Sequence, residues 1–291
     1  VLLSDSSYFE VNDISAIKSN SIAPFFNATI LSFNFNFQVN STYTVSAENL
    51  SDCAGNVISN TVQFGIADSA LEKEIIINEV LFNPKEDGVD YVEIYNSSNF
   101  FFDLKKLRIA NFEYNEFSDI IEPKNPEIIT EETFLFSPKT YLVLTTNTQK
   151  VKAQYYCENP YNFIEVESMP TLSNDSGTVC LAHKSLSQII DAFSYSENMH
   201  FSLLETEDGV SLERLDMNDK TQKSSNWHSA ASTVGYGTPT YKNSQQHISQ
   251  SIGEINIEPK LFSPNNDGYK DVIAITWNFS KANLMATIRV F

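Results

Sequence analysis

The chain has 291 residues, with 19 Lys and Arg against 37 Asp and Glu, which gives a formal net charge of −18. This balance excludes a broad phosphate-binding surface, because affinity for nucleic acid depends on Lys and Arg that neutralise phosphates. It equally disfavours an electrostatic anchor on anionic lipid. A length of 291 residues suits two or three domains, and a hydrophobic content of 42% is enough for packed cores. From the charge we expect no nucleic-acid partner, and since no apolar run is long enough to span a bilayer, we expect no membrane insertion.

The N-terminal part of the chain alternates apolar and polar residues with period two. Residues 29–37 carry an apolar side chain at every second position from Leu31 onward, which is typical of a half-buried strand. Residues 41–47 and 60–66 repeat the pattern, and residues 50–56 between them are rich in turn formers. The sequence therefore predicts a series of antiparallel strands in this part.

A polar, small-residue stretch at residues 67–73 is expected to be a linker. After it, short apolar runs separated by turn-forming residues predict many antiparallel strands. These runs are at residues 74–82, 91–95, 104–110, 140–145, 177–181, 189–195 and 211–214. Residues 148–156 are expected to form one short helix, and a polar stretch at residues 244–254 predicts a second linker. Residues 255–291 then begin a third unit of strands.

A set of motifs in fixed order marks the middle unit. They are Ile-Ile-Asn-Glu-Val-Leu-Phe-Asn-Pro at 76–84, Asp-Tyr-Val-Glu-Ile-Tyr-Asn at 90–96, Asp-Leu at 103–104, Leu-Ser-Asn at 172–174, Ser-Leu-Glu-Arg at 211–214, Asn-Trp-His at 226–228 and Gly-Thr-Pro at 237–239. The set resembles the lamin-tail domain, an Ig-like sandwich known from nuclear lamins and common in bacterial secreted proteins. Lys105 and Lys106 depart from the usual Ser and Gly of that family, and the Trp usual in that strand is missing.

The flanking units resemble other modules of exported bacterial proteins. Residues 40–45 and 52–56 (Asn-Ser-Thr-Tyr-Thr-Val and Asp-Cys-Ala-Gly-Asn) resemble the second half of a bacterial Ig-like domain, whose first strands are expected upstream of Val1. Residues 262–271, Phe-Ser-Pro-Asn-Asn-Asp-Gly-Tyr-Lys-Asp, are similar to the opening of C-terminal domains in Bacteroidetes-type surface and secreted proteins, which are associated with gliding motility and type IX secretion.

Together, these resemblances imply an all-β chain of tandem Ig-like β-sandwiches from a secreted or cell-surface protein. The implied organisation is a partial Ig-like domain at 1–68, a lamin-tail-like sandwich at 74–243, a linker at 244–254 and the start of a third domain at 255–291. The third domain is either a sorting signal or another Ig-like module.

The histidines give no sign of catalysis. None of His183, His200, His228 and His247 falls in a metal-binding or nucleophile motif, and the chain has no phosphate-binding glycine loop. General acid–base catalysis needs a partnered group in a cleft, which the spacing of these residues does not suggest. We therefore expect a noncatalytic chain that requires no cofactor.

Three carboxylates, Glu79, Asp90 and Glu93, fall in one predicted hairpin. One interpretation is an acid pair or a metal site. The simpler one is structural, in which Glu79 and Glu93 bind backbone amides or an arginine such as Arg214 inside the sandwich. Since a buried carboxylate without a partner costs several kcal/mol, a partner is required if these groups are buried.

A turn in the third unit is a calcium candidate. Asn265, Asp267 and Asp271 bring oxygen ligands close together around a glycine, as calcium loops do. The spacing departs from the EF-hand pattern, and turn chemistry alone also explains these residues. Calcium is the one cofactor that the sequence suggests.

Two covalent features are also suggested. Cys157 and Cys180 lie 23 positions apart in one domain and are candidates for a disulfide, or alternatively two small buried thiols, while Cys53 is expected to be free. Ser69, in the run Asp-Ser-Ala, resembles a three-residue O-glycosylation motif of Bacteroidetes exported proteins, although plain linker sequence explains it equally.

The run Phe100, Phe101 and Phe102 cannot all point inward on a strand. We expect at least one ring to contact solvent, a neighbouring domain or a partner, unless the run caps the core from a loop. The favoured function is a surface or adhesion module that spaces domains or contacts a protein or glycan partner. The alternatives are the accessory region of an exported hydrolase, a nuclease or phosphoesterase with its catalytic domain outside this chain, and a glycan-binding module.

Overall fold

The computed structural model describes residues 5–25, 27–39, 41–52, 54–115, 120–246, 254–259 and 261–278. Strands take up 41% of the chain and helices 9%, which confirms the predicted all-β class. The predictions for Cys53, for His247 and for a strand running to the C-terminus lie outside the described residues. Within the described ranges, no helix is long and apolar enough to cross a bilayer.

The N-terminal unit contains one four-stranded antiparallel sheet and one hairpin. Its elements are a 3-10 helix at Ser6–Tyr8, β1 Phe9–Val11, β2 Ile14–Ser15, β3 Lys18–Ser21, β4 Thr29–Ser32, β5 Thr42–Ser51 and β6 Val57–Gly65. The larger sheet has the order β2-β1-β5-β6, and β3 pairs with β4. The β5–β6 turn forms where the sequence predicts it, because the Asp52 carboxylate accepts the backbone N–H groups of Ala54 and Asn56.

An aromatic cluster replaces the second half of one predicted strand. The strand expected over residues 29–37 ends at Ser32, so its predicted C-terminal half is wrong. The rings that follow pack on one another, with those of Phe35 and Phe37 4.7 Å apart at their centroids. The cluster consists of Phe33, Phe35, Phe37, Tyr43 and Phe64. The alternation in the sequence therefore indicates that these apolar side chains share one side of the chain, but it does not show that their backbone continues the strand.

The central unit contains two larger sheets and one short helix. Its strands and helix are β7 Ile75–Leu81, β8 Tyr91–Asn96, β9 Phe102–Asp103, β10 Leu107–Asn115, β11 Ile120–Ile128, β12 Leu135–Phe136, β13 Tyr141–Thr145, α1 Thr148–Gln154, β14 Phe163–Glu165, β15 Ser176–His183, β16 Ile189–Ser196, β17 Leu212–Arg214 and β18 Trp227–Ser229. One sheet has the order β14-β13-β8-β7-β17-β18 and the other β11-β10-β15-β16. The predicted helix is confirmed as α1, whose first turn is capped by the Asn147 side chain.

The two sheets enclose one hydrophobic core. Ile77 and Val92 of the six-stranded sheet share it with Val179 and Phe193 of the four-stranded sheet. Trp227 stacks on Phe193 with the ring centroids 3.7 Å apart. Burying side chains of this size stabilises the fold by roughly 1.5–3 kcal/mol each, so the core accounts for the packing of the two sheets.

A β-bulge in β7 sets the positions of the polar side chains of that strand. The pairing register with β8 shifts between Ile77 and Glu79. Ile77 and Val80 both belong to the core between the sheets. Since strand side chains otherwise alternate, the extra residue directs Asn78 and Glu79 together to the outer side of the six-stranded sheet.

The segment at residues 67–73 packs onto the central unit instead of forming a free linker. Ala70 is buried in the core, and the backbone N–H of Lys73 donates to the Ile190 carbonyl. Asp68 forms an isolated β-bridge with Phe102. The two units are therefore joined by backbone and core contacts.

The predicted disulfide is absent, because Cys157 and Cys180 are both free thiols. Cys180 is fully buried on β15 and its thiol contacts the Asn111 carbonyl at 3.5 Å, while the Cys157 thiol contacts the Tyr155 carbonyl at the same distance. The alternative of two small buried thiols holds for Cys180, which packs against β10, whereas Cys157, which follows α1, is only partly buried.

The third unit is represented by one hairpin, in which β19 Glu254–Glu258 pairs antiparallel with β20 Ala274–Asn278. The segment expected to link it to the central unit begins inside that unit, since Ser244 and Gln245 bind Glu213. Residues 247–253 lie outside the described part of the chain.

Candidate functional site: a row of buried carboxyl groups

Three glutamates lie side by side across the six-stranded sheet. Glu79 on β7 is the cross-strand partner of Glu93 on β8 and of Glu213 on β17. All three side chains are completely buried. Glu79 and Glu93 are therefore neighbours, as their place in one predicted hairpin suggests. Glu213 was missed, because cross-strand pairing with a residue 134 positions away leaves no local signal in the sequence.

The row is closed from outside by residues 235–246, here called the covering segment. Its Thr238 and Gln245 backbone N–H groups donate to Glu79 and Glu213, each at 2.9 Å. The Thr240 backbone N–H donates to Glu93. Because a backbone N–H needs an acceptor once it is buried, the carboxyl groups fasten this segment to the sheet.

The sheet supplies the remaining donors. The hydroxyls of Tyr91 and Ser211 donate to one oxygen of Glu79, and the Asn78 amide donates to Glu93 at 2.8 Å. The bulge is what makes this possible, because it places Asn78 on the same side as Glu79. The structural interpretation, in which these glutamates bind backbone amides, thus describes their contacts.

One hydroxyl joins two of the carboxyl groups. Thr238 Oγ1 lies 3.0 Å from Glu79 Oε2 and 2.7 Å from Glu213 Oε1. A hydroxyl carries one hydrogen, so it donates to only one of these oxygens. The other contact is a hydrogen bond only if that carboxyl group carries a proton and donates to Thr238. Both contacts are hydrogen bonds at the same time when the Glu79–Glu213 pair carries one proton.

Burial acts in the same direction. Desolvation, followed by the charge of Glu213, raises the pKa of Glu79 from 4.5 to about 7. Desolvation is also the main cause that raises the pKa of Glu213 and, together with the neighbouring Glu79 charge, raises that of Glu93 well above its usual range. A row of this kind retains protons at pH values where exposed glutamates are ionised.

Arg214 does not bind the glutamates, which corrects that part of the sequence interpretation. Its guanidinium Nη1 lies 3.2 Å from Asp191 Oδ2 in a buried ion pair. Asp191 also accepts the Ile77 backbone N–H at 2.8 Å and the Thr221 hydroxyl at 2.6 Å. Since Asp191 is on β16 and Arg214 on β17, the pair ties the two sheets together.

The other predicted site residues lie apart from this row. Burial raises the pKa of Asp90 to about 7, but its carboxyl group is not among the partners of the row. Asp271 uses its two oxygens to accept the backbone N–H groups of Asn266 and Gly268, each at 2.7 Å. Asp267 accepts the N–H of Tyr269 at 2.8 Å. These are turn contacts, and calcium binding at this turn stays a prediction.

The phenylalanine run lies against the protein and not in solvent. Phe102 belongs to the core, and Phe100 packs against it. Phe101 is 5% exposed, and a Cβ added to Gly65 at the end of β6 would overlap its ring. The run therefore contacts a neighbouring unit of the same chain. Ser69 is exposed, so it is accessible as the predicted glycosylation site.

A groove on the outer side of the four-stranded sheet has a volume of about 740 Å³. Its lining includes the apolar Ile121, Pro123 and Ile189 and the charged Lys73 and Lys220. It has the size of a small-molecule pocket. Its charged groups are mixed, so it does not indicate one class of ligand.

The comparisons with known proteins leave the family open. No family model matches the chain, and no curated protein matches it. Among solved structures, a crystal structure of a DUF4876 family protein from Bacteroides thetaiotaomicron is similar, with 12% identity, 84% of this chain and 90% of that chain covered, and a TM-score of 0.30. A score this low supports no conclusion about fold or function.

Chemically, the row can hold protons and accept hydrogen bonds from the covering segment. A substrate in solution cannot contact side chains that have no exposed surface. Each glutamate is engaged by donors from the sheet, the covering segment or both. The arrangement therefore fits a structural lock better than a general acid–base pair, which needs a reacting group within hydrogen-bond reach.

Proposed function

We propose that the chain is a noncatalytic structural or adhesion module of a secreted or cell-surface protein, built from tandem Ig-like sandwiches. The observation that carries this proposal is the joint between the N-terminal and central units. Phe101 of the central unit packs against Gly65 of β6, and Asp68 bridges Phe102. A joint fixed in this way suits a spacer, because it holds two neighbouring domains in one orientation.

The buried carboxyl groups support the noncatalytic part of the proposal. Burial raises the pKa of all three, and groups with perturbed pKa values are the usual candidates for catalysis. Here the carboxyl groups bind the covering segment, where both Glu79 and Glu213 contact the Thr238 hydroxyl. Export and surface location rest on the resemblance of the modules to bacterial exported proteins.

Small-angle X-ray scattering tests the spacer role. Phe101→Ala removes the ring that fills the space beside Gly65, and we expect a broader distribution of particle dimensions than in the unmodified chain. Phe25→Ala is the matched control, since Phe25 is 83% exposed in the N-terminal unit and its removal should change nothing. Identical distributions for Phe101→Ala and the unmodified chain would contradict a fixed joint.

A glycan-binding role is the second candidate, favoured by exposed tyrosines near α1. Tyr161 is 94% exposed and Tyr156 is 67% exposed, and the Tyr156 ring lies 5.6 Å from that of Tyr241. Asn159 binds Thr240 through its backbone N–H and its amide, which holds this loop in place. Exposed aromatic rings with a polar tip are suited to contact surfaces.

A glycan array with the unmodified chain and Tyr161→Ala tests this second role. Binding that is lost in the variant would support it. Tyr114→Ala is the control, because Tyr114 is also exposed but lies on β10. No binding by the unmodified chain, or equal binding by all three proteins, would exclude these tyrosines as a glycan site.

A further inference from the structure

Among the described residues, β6 is an edge strand, and its outward backbone groups form no hydrogen bonds to another strand. It is the last strand in the order β2-β1-β5-β6. The Thr61 N–H donates to the side-chain oxygen of Asn60 at 2.9 Å, and Thr44, on β5, directs its own N–H and C=O to Asn12. Because peptide groups alternate in an antiparallel ladder, Ser59, Thr61 and Gln63 direct theirs away from β5.

The same edge exposes large apolar side chains. Val57 is 63% exposed, Ile58 62% and Val62 57%. Ile58 and Val62 share a face with Phe64, whose ring stacks on Tyr43 at 5.5 Å. This face is therefore packed at the Phe64 end and uncovered along the rest of the edge.

Edge strands are normally protected by charge, proline or a bulge, and β6 carries neither charge nor proline from Val57 to Gly65. A bulge is present in this hairpin, but it lies in β5, where the register shifts between Ala47 and Leu50. Nine uncharged residues rich in Val, Ile and Thr are well suited to accept another strand.

We propose that β6 pairs antiparallel with β6 of a second copy of this chain, around a two-fold axis at Asn60. In this register Ile58 lies opposite Val62 of the second copy, and Val62 opposite Ile58, so the exposed apolar side chains cover one another. Shifting the axis to Thr61 would place Val62 opposite Asn60, which loses this match.

Charge restricts where two copies of the chain can meet. The chain carries a net charge of −18, so two copies repel each other over most of their surfaces. The uncharged β6 strand is where they approach at the least electrostatic cost. In the proposed register the outward groups of Ser59 and Thr61 form ladder hydrogen bonds with Thr61 and Ser59 of the second copy.

Disulfide cross-linking tests the register. In Asn60→Cys, the new thiol faces its own counterpart across the two-fold axis, where the Cα atoms are about 4.5 Å apart, and a disulfide can form. Thr61→Cys is the matched control, because residue 61 faces Ser59 instead. We expect mild oxidation to link Asn60→Cys into dimers and to leave Thr61→Cys at the background of the native cysteines.

Sedimentation velocity tests the association itself. The unmodified chain is expected to shift to twice its monomer mass as concentration rises. Thr61→Pro should abolish the shift, since it removes an outward N–H that β5 does not use. The proposal is overturned if the unmodified chain keeps its monomer mass at every concentration. It is also overturned if Thr61→Pro still forms dimers, or if cysteines at positions 60 and 61 cross-link equally. Binding of another protein's strand to a monomeric chain would overturn it as well.

Discussion

Replacing Glu79 by Gln should leave the fold intact and remove the part of the pH dependence of stability that the Glu79 carboxyl group contributes. The Gln oxygen can accept the same donors from Tyr91, Ser211 and the Thr238 backbone as Glu79 Oε1 does. The Gln amide then donates to Thr238 Oγ1, whose own hydrogen remains for Glu213. Glu79→Gln thus supplies the hydrogen that the pair otherwise takes from solvent.

The magnitude follows from the raised pKa. A shift of the Glu79 pKa from 4.5 to about 7 corresponds to about 3 kcal/mol at ~1.4 kcal/mol per pKa unit. A pKa that is higher in the folded state gives stability that is complete below about 4.5 and lost as the pH rises to about 7. The unmodified chain should therefore lose about 3 kcal/mol more than Glu79→Gln between these pH values.

Urea unfolding followed by the fluorescence of Trp227 measures this difference, because Trp227 lies in the core beside Phe193. The exposed Trp277 is replaced by Phe in all proteins compared. Glu158→Gln, at an exposed position, is the control and should follow the unmodified chain at every pH. The reasoning is refuted if the curves for Glu79→Gln and the unmodified chain stay parallel from acid to neutral pH.

Three further predictions concern other buried groups. Arg214→Met leaves Asp191 buried without its charge partner and should lower the free energy of unfolding by about 3–5 kcal/mol in urea titration; an unchanged midpoint would contradict this. Burial raises the pKa of Cys157 to about 11 and of Cys180 to about 12, so both thiols should react slowly with a disulfide reagent in the native protein. After unfolding, three thiols per chain should react. A count of only one reactive thiol would instead indicate a Cys157–Cys180 disulfide. Burial lowers the pKa of His200 to about 4, so between pH 6.5 and 4 the unmodified chain should lose about 3 kcal/mol of stability relative to His200→Gln, and an identical pH dependence in the two proteins would refute this.

The strands were largely predictable, because alternation and turn residues are local signals. The runs that became β7, β8, β15 and β16 each combine apolar positions with flanking turn formers. The strand predicted at residues 29–37 was too long, because the rings of Phe33 and Phe37 pack edge to face in a cluster. An alternation of apolar and polar residues does not by itself distinguish such a cluster from a hydrogen-bonded strand.

The site was predictable only in part. Glu79 and Glu93 could be placed together because one hairpin contains both. Glu213 and Thr238 reach the row through long-range pairing, and Arg214 binds Asp191 across the two sheets. A one-residue bulge also decides which side chains face outward, and no local pattern in the sequence announces it.

Infrared difference spectroscopy measures the proton of the Glu79–Glu213 pair most directly. The carbonyl stretch of a protonated carboxylic acid is separate from the bands of carboxylates and amides. At neutral pH we expect this band in the unmodified chain and in Glu158→Gln, and a weaker band in Glu79→Gln, because Glu93, whose pKa is also raised by burial, keeps its own proton. A spectrum of the unmodified chain without a protonated carboxyl band at neutral pH would contradict the assignment of the row as a protonated, closed structural lock.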